Sequence, residues 1–195
     1  MIAILLASPG CAGDVHRRQD TAVTARSTAD TLAPGWVAFH GRGFVLQHPA
    51  GARLQRSSSH PSEIPAVEIL GAEREDPAGG EPRPGYVVWV SQFHNPARIS
   101  LDAWVDSVYR ARYDESEDST AFDQPSPPDS IRVGGQRALR LQPFCGDCEP
   151  YEVYLARGDQ VVVLSWIYDP AYLGGSRDEQ KRINERILRS FRWDP

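Results

Sequence analysis

The sequence predicts an α+β domain, and three observations lead to this class. From Gly35 onward, apolar segments of strand length alternate with turns rich in glycine and proline. Two further segments have the apolar spacing of a helix, one in mid-chain and one near the end. Helices that interrupt and end a series of antiparallel strands are typical of α+β layer folds. A chain of 195 residues is long enough for one such core.

The domain is predicted to open with a hairpin. Trp36 to His40 and Phe44 to His48 are its strands, and the glycine-rich residues 41–43 form its turn. Pro49 is expected to end the second strand, because proline cannot donate to a strand ladder.

Two more strands are expected before the first helix. Ala66 to Leu70 is the third strand, and residues 73–85 are charged and rich in proline and glycine, which indicates a loop. Tyr86 to Ser91 is apolar at nearly every position, so we expect a strand that is covered on both faces.

The first helix is predicted to begin at Ser100, whose hydroxyl can cap the free backbone N–H groups. Its buried stripe lies at helical spacing and consists of Leu101, Trp104, Val105, Val108 and Tyr109. Residues 114–129 are acidic and then proline-rich, and we interpret them as an exposed loop.

The second half is predicted to be a meander of four strands that ends in a helix. The strands are Ile131 to Val133, Gln136 to Gln142, Tyr151 to Ala156 and Val161 to Tyr168, with Gly158 and Asp159 in a tight turn. Ser176 and Glu179 form a capping box. The buried stripe of this last helix comprises Ile183, Ile187, Leu188 and Phe191.

The amino terminus has the features of an exported lipoprotein. Met1 to Leu6 is apolar, and small residues follow as far as Cys11, which resembles the lipobox of bacterial lipoproteins. In that family the signal peptide is removed and the cysteine is lipidated. Ser8 stands where leucine is usual, and the missing basic segment predicts that the true start lies upstream of Met1. The alternative is a frayed apolar tail.

The predicted organisation is therefore a signal-peptide remnant over residues 1–10, a lipidated cysteine and flexible linker over 11–34, and a domain over 35–195. The linker is polar and has no apolar periodicity, so it cannot order itself by burial. By the same resemblance, Ala12 after the cysteine favours the outer membrane. We expect the domain on the extracytoplasmic side of the envelope.

Four short motifs of the domain resemble the PsbP-like family, which is named for an extrinsic photosystem protein. They span residues 36–193 and are Phe44 to Pro49, Ser100 to Trp104, Val133 to Ala138 and Ile187 to Arg192. His48 stands where a tyrosine is usual before Pro49. The resemblance implies an antiparallel sheet sandwiched by helices, and a binding or assembly role. Its motifs are structural, so it transfers no functional residue.

Cys145 and Cys148 are the most distinctive local pair. They could be a redox pair, but their flanks between two strands offer no helix N-terminus to stabilise a thiolate. They could be half of a zinc site, but no further ligand pair follows at finger-like spacing. We predict a structural disulfide, because two cysteines remain in an exported chain whose third carries lipid.

The histidines are weaker candidates. His40 and His48 could meet across the first hairpin, and His94 follows the central strand, so a metal or acid–base role requires that two of them converge. The acidic residues 114–118 could bind a divalent cation, but they lack the spacing of a calcium loop. The sequence has no nucleophile elbow and no phosphate-binding loop.

The aromatic residues suggest a ligand cleft as the alternative to a protein-binding surface. Trp104 and Trp166 lie on apolar stripes and are interpreted as core, whereas Trp89 and Tyr154 are ambiguous. Trp89, Tyr154 and His94 are therefore the candidate ligand-lining residues.

The sequence thus predicts a non-enzymatic, lipid-anchored envelope protein that binds another envelope protein and needs no cofactor. The alternative function is a small-molecule or metal-binding envelope module. A formal net charge of −5 argues against nucleic acid as a partner, because such binding needs a basic surface.

Overall fold

The computed structural model describes residues 34–57, 64–75, 80–113, 127–143, 149–169 and 173–195. Its main element is a seven-stranded antiparallel sheet. In chain order, the strands are β1 (Trp36–His40), β2 (Phe44–Pro49), β3 (Arg53–Arg56), β4 (Ile64–Leu70), β5 (Glu73–Arg74), β6 (Arg83–Pro84), β7 (Val87–His94), β8 (Asp129–Val133), β9 (Gln136–Leu141), β10 (Glu149–Arg157), β11 (Gln160–Tyr168) and β12 (Arg192–Trp193). The helices are α1 (Leu101–Tyr113) and α2 (Arg177–Ser190).

The strands form three antiparallel sheets. The large sheet has the order β3-β4-β7-β11-β10-β9-β8, so β3 and β8 are its edges. The small sheet has the order β1-β2-β12, and β5 pairs with β6 in a two-stranded ribbon. The molecule is mostly antiparallel sheet with two helices, and it is richer in strand than the predicted α+β class.

Adjacent residues of the central strands belong to different apolar clusters, because successive side chains of a strand point to opposite faces. Leu139 and Tyr154 lie in one cluster with Val105 of α1. Ala138 and Val153 lie in the other, with Ile187 of α2 and the first hairpin.

The small sheet and α2 pack together through aromatic rings. The Phe44 ring stacks on the Phe191 ring with centroids 5.2 Å apart, and Trp193 meets Phe191 edge-on at the same distance. The Ser190 hydroxyl accepts from the Gln47 backbone N–H at 2.7 Å, which joins the end of α2 to β2. These contacts fix where α2 ends relative to the first hairpin.

The predicted hairpins, central strands and both helices are confirmed. The Ser100 hydroxyl accepts from Ala103 N–H at 3.2 Å, and the Ser176 hydroxyl accepts from Glu179 N–H at 3.3 Å, so both predicted caps form. The Glu179 carboxylate itself accepts from Arg74 at 2.8 Å, which joins β5 to α2.

Several predicted boundaries were wrong. Residues 73–85 include the short ribbon β5–β6, and Arg53–Arg56 forms the edge strand β3, whose charged sequence has little strand signal. The central strand begins at Val87 and continues to His94. Pro49 belongs to β2, opposite Trp36 at the end of the ladder, where no donor is needed.

Candidate functional site

The three predicted ligand-lining residues do not come together. Trp89 and His94 lie five residues apart on β7, which separates them by roughly 16 Å and places them on opposite faces. Tyr154 is 2 % exposed and belongs to the cluster beneath α1, and its hydroxyl donates to the Glu152 carboxylate. These three residues therefore do not line one common cleft.

Trp89 belongs instead to a polar row that crosses the large sheet. Five cross-strand neighbours make up this row: Gln55, Glu68, Trp89, Ser165 and Glu152. The Glu68 carboxylate accepts from Gln55 Nε2 at 2.5 Å and from Trp89 Nε1 at 3.2 Å. Glu68 and Glu152 lie three strands apart, roughly 14 Å. This separation is too large for the two carboxylates to act on one bond.

His94 forms an exposed pair with Asp159 in the β10–β11 turn. Its Nε2 lies 3.0 Å from Asp159 Oδ2, and this hydrogen bond lowers the pKa of the carboxyl group. More than half of each side chain is exposed. The Asn95 backbone N–H also donates to the Asp159 carbonyl, at 2.6 Å. The pair thus helps to hold the end of β7 against the turn.

His40 and His48, which could have met across the first hairpin, do not meet. His40 lies opposite Val45 and His48 lies opposite Val37, so they are at different ends of the hairpin. His48 is 2 % exposed and its Nδ1 lies 2.9 Å from the Pro49 carbonyl oxygen. Across the ranges that the structure describes, no group of three or more His, Cys, Asp and Glu could hold a metal ion. Cys11, Cys145 and Cys148 lie outside those ranges.

A groove of about 410 Å³ lies between α1 and the β8–β9 edge of the large sheet. We call it the α1 groove. Its lining residues are Asp102, Val105, Asp106, Tyr109, Pro127, Pro128, Ser130, Arg137 and Leu139. Val105 and Leu139 are buried and supply apolar surface, whereas the charged residues are exposed. The groove thus combines an apolar floor with a polar rim, which is the usual composition of a binding cleft.

A bidentate ion pair forms one side of the α1 groove. Arg137 Nη1 and Nη2 each donate to one oxygen of Asp102 at 2.6 Å, in the fork geometry typical of arginine and carboxylate. The hydrogen bonds from Arg137 lower the pKa of the Asp102 carboxyl group. Both side chains are more than half exposed, so the pair contributes little to stability and can exchange partners with a ligand.

The edge strand β8 runs beside this groove. β8 pairs with β9 on one side and ends the order of the large sheet on the other. Edge strands present backbone donors and acceptors that can pair with another chain.

A second groove of about 410 Å³ lies at the end of α2, and we call it the arginine groove. Its lining residues are Gln47, Gly134, Arg186, Arg189, Ser190, Phe191 and Arg192. Within the described ranges, therefore, three arginines and no carboxylate line it. The guanidinium of Arg186 stacks on the Trp36 ring at 4.1 Å from its centroid.

Few large apolar side chains are exposed on the described part of the chain. Ile99, at 41 % exposure, is the one exposed large apolar residue of the described part of the chain. The described part of the chain therefore shows no patch of several exposed large apolar side chains.

The sequence analysis missed both grooves. The α1 groove depends on Asp102 and Arg137, which are 35 residues apart and carry no joint local signal. The arginine groove left a weak signal, because Arg186 and Arg189 have the i, i+3 spacing of one helix face.

No protein-family model matches the chain, and no curated protein matches it. The solution structure of cyanobacterial PsbP (CyanoP) from Synechocystis sp. PCC 6803 superimposes with a TM-score of 0.55 at 11 % identity, covering 87 % of this chain and 98 % of that one. The chain has a PsbP-like fold. A crystal structure from Bacteroides thetaiotaomicron VPI-5482 gives a TM-score of 0.46 at 10 % identity, covering 83 % and 48 %.

The structural similarity to CyanoP confirms the PsbP-like fold that the four motifs indicated. At 11 % identity the likeness concerns the fold alone. Among the described residues, neither helix has the length and apolar character needed to cross a bilayer.

Proposed function

We propose that the chain is a lipid-anchored envelope protein whose PsbP-like domain has a non-catalytic binding or assembly role. The anchor is a lipid on Cys11, and the linker of residues 12–34 connects it to the domain. The partner is another envelope protein. The domain lies on the extracytoplasmic side, with the outer membrane favoured by Ala12.

The amino-terminal sequence supports the anchor. An apolar segment followed by small residues and Cys11 resembles the signal for lipoprotein processing, with Ser8 in place of the usual leucine. The sequence that follows is polar and lacks apolar periodicity, a composition that suits a spacer between membrane and domain.

The observation that carries the binding role is the α1 groove beside the edge strand β8. An extended segment of a partner can pair with β8 through its backbone, while one of its side chains enters the groove between Val105 and Leu139. The Asp102–Arg137 pair on the rim supplies one charge of each sign for selection of the partner. The occupant is thus an extended peptide segment that carries an apolar side chain.

The distribution of the two helices supports an outward-facing α1 groove. Ala138 of β9 packs in one cluster with α2, and its neighbour Leu139 packs in the other cluster with α1. Because neighbouring side chains of a strand point to opposite faces, we infer that the two helices cover opposite faces of the large sheet. In this arrangement the α1 groove and α2 point in different directions. One face can then serve the partner while the other faces the membrane.

The anchor is tested by expressing the full chain in a bacterium beside Cys11→Ser and measuring intact mass and membrane partition. A third version carries an upstream extension that restores the signal peptide. We expect the unmodified chain to be cleaved before Cys11, to carry acyl mass and to fractionate with membranes, while Cys11→Ser is soluble. An unmodified Cys11 in a chain that stays in the cytoplasm contradicts the anchor.

The binding role is tested by placing a photoreactive amino acid at Tyr109, in the groove wall, or at Arg53, an exposed residue of the opposite edge strand β3. We expect one envelope protein, identified by mass, to crosslink in cells to position 109 and not to position 53. Neutralising the rim with Asp102→Asn and Arg137→Gln should weaken that adduct. The same adducts from both positions would show that the groove is not selective.

A further inference from the structure

We propose that the arginine groove binds phosphate groups of anionic phospholipids and thereby holds the domain against the membrane. This inference rests on the proposed anchoring at Cys11, because it concerns the membrane that the anchor reaches. It assigns a second membrane contact to the folded domain itself. Its consequence is a fixed orientation in which α2 faces the lipid and the α1 groove faces away.

The charge of the groove is the first argument. Arg186, Arg189 and Arg192 line it, whereas the whole chain has a formal net charge of −5. A planar guanidinium donates two parallel N–H groups to the oxygens of a phosphate, which suits phospholipid headgroups. The groove is therefore positively charged although the whole chain is negative. Its guanidinium groups are of a kind that recognises phosphate.

The surrounding contacts hold the groove in place. Arg186 stacks on Trp36 at 4.1 Å, and Arg189 donates to Glu185 at 2.9 Å, one turn earlier on the same helix. The groove is closed on its other side by the β8–β9 turn. An added Cβ on Gly134 would lie 2.5 Å from the Phe191 carbonyl oxygen, so this turn lies directly against the end of α2.

The carboxylates of α2 leave a net positive surface at this end. Glu185 faces Arg189 and cancels part of its charge, while Asp178 and Glu179 lie in the first turn. The distance along the helix from Asp178 to Arg189 is about 16 Å. This exceeds the Debye length of roughly 10 Å at 0.1 M salt, so the first turn does not neutralise the groove.

The path of the chain favours a membrane surface as the ligand of the arginine groove. Trp36 is the first residue of β1, two residues after the end of the proposed linker, and it contacts Arg186 of the groove. The first strand of the domain thus begins beside the arginine groove, so the proposed linker joins the domain close to these arginines. A half-buried tryptophan there also suits the headgroup region, where tryptophan is enriched. A lipid chain together with a basic patch is a known combination for stable membrane attachment.

The test uses purified full-length Cys11→Ser protein, which carries no lipid, and measures its partition onto vesicles by sedimentation. One set of vesicles is pure phosphatidylcholine, and the other contains phosphatidylglycerol as well. We expect binding to the anionic vesicles that decreases as salt is raised. Arg189→Gln with Arg192→Gln should reduce the partition coefficient by about fivefold for each arginine removed.

The matched control is Arg53→Gln with Arg110→Gln, which changes the formal charge equally at exposed positions elsewhere. It should bind anionic vesicles as the parent does. Equal losses in both double variants, or no binding to anionic vesicles, would overturn the proposal. Inorganic pyrophosphate that binds at the groove while vesicles do not would overturn it in favour of a soluble anion. Because the protein is unacylated, these outcomes are independent of the mass measurement that tests the anchor.

Discussion

At the scale of single residues, burial changes the chemistry of His48. The side chain is 2 % exposed at the second-last position of β2, in the position before Pro49. Burial disfavours the charged imidazolium and lowers the pKa of His48 below its ordinary value of 6.5, although the hydrogen bond to the Pro49 carbonyl acts in the opposite direction. The sequence showed a histidine at a strand end, where an exposed side chain is usual.

We predict that His48 makes the fold sensitive to mild acid. Its pKa is lower in the folded state than in the unfolded state, so the unfolded chain binds the proton first as the pH falls through about 6.5. The free energy of unfolding should then decrease with falling pH, by at most about 1.4 kcal/mol per pH unit for this one proton. In His48→Gln this component should be absent. Chemical denaturation of both proteins at pH values on either side of 6.5 measures it, and equal slopes would contradict the prediction.

At the scale of elements, the β8–β9 turn and the end of α2 determine each other's position. Gly134 and Gly135 both have positive φ, 57° and 79°, which suits a two-residue turn between Val133 and Gln136. A Cβ on Gly135 would meet open space, whereas one on Gly134 would meet the backbone at Phe191. Gly135 is therefore required only by the turn conformation, whereas Gly134 is required both by the turn and by close packing against Phe191.

We predict that Gly134→Ala destabilises the protein more than Gly135→Ala. Both changes place alanine in the left-handed region, but only Gly134→Ala also places a methyl group 2.5 Å from the Phe191 carbonyl oxygen. The additional cost should be about 1–3 kcal/mol, the range for overpacking. Urea denaturation of the two variants measures it. Equal midpoints would show that the turn can move away from α2 without cost.

At the scale of the whole molecule, the described part of the chain has a PsbP-like fold, and the α1 groove and the arginine groove both lie near its β8–β9 hairpin. The α1 groove includes Leu139 and the arginine groove includes Gly134, so both use the same hairpin. Membrane contact at one groove and partner contact at the other would place the two proposed activities on different sides of one sheet. The disulfide between Cys145 and Cys148 stays a prediction. It belongs to this scale because export of the chain determines whether the bond forms.

We predict that Cys145 and Cys148 are disulfide-bonded in the exported protein. Protein extracted from the envelope should gain the mass of two alkyl groups only when it is reduced before alkylation. The loop that the bond closes is short, so Cys145→Ser with Cys148→Ser should lower stability by about 2 kcal/mol or less. Alkylation of both thiols without prior reduction would contradict the disulfide.

The sequence by itself determined the local features of this protein. The positions of the hairpins, the caps at Ser100 and Ser176 and the turn at Gly158 followed from residues close together in the chain. Turn chemistry, capping and apolar periodicity act over a few residues, so they can be read without the fold. The predicted amino-terminal export signal rests on local residues in the same way.

Only the tertiary structure decided the strand order, the edges of the large sheet and the composition of the grooves. Asp102 meets Arg137, and Trp36 meets Arg186, because strand register and helix packing bring distant residues together. Trp89, Tyr154 and His94 were separated for the same reason, since alternation along a strand and burial beneath α1 place each in a different environment. Binding surfaces arise from such non-local contacts, whose pairing the sequence pattern does not encode residue by residue.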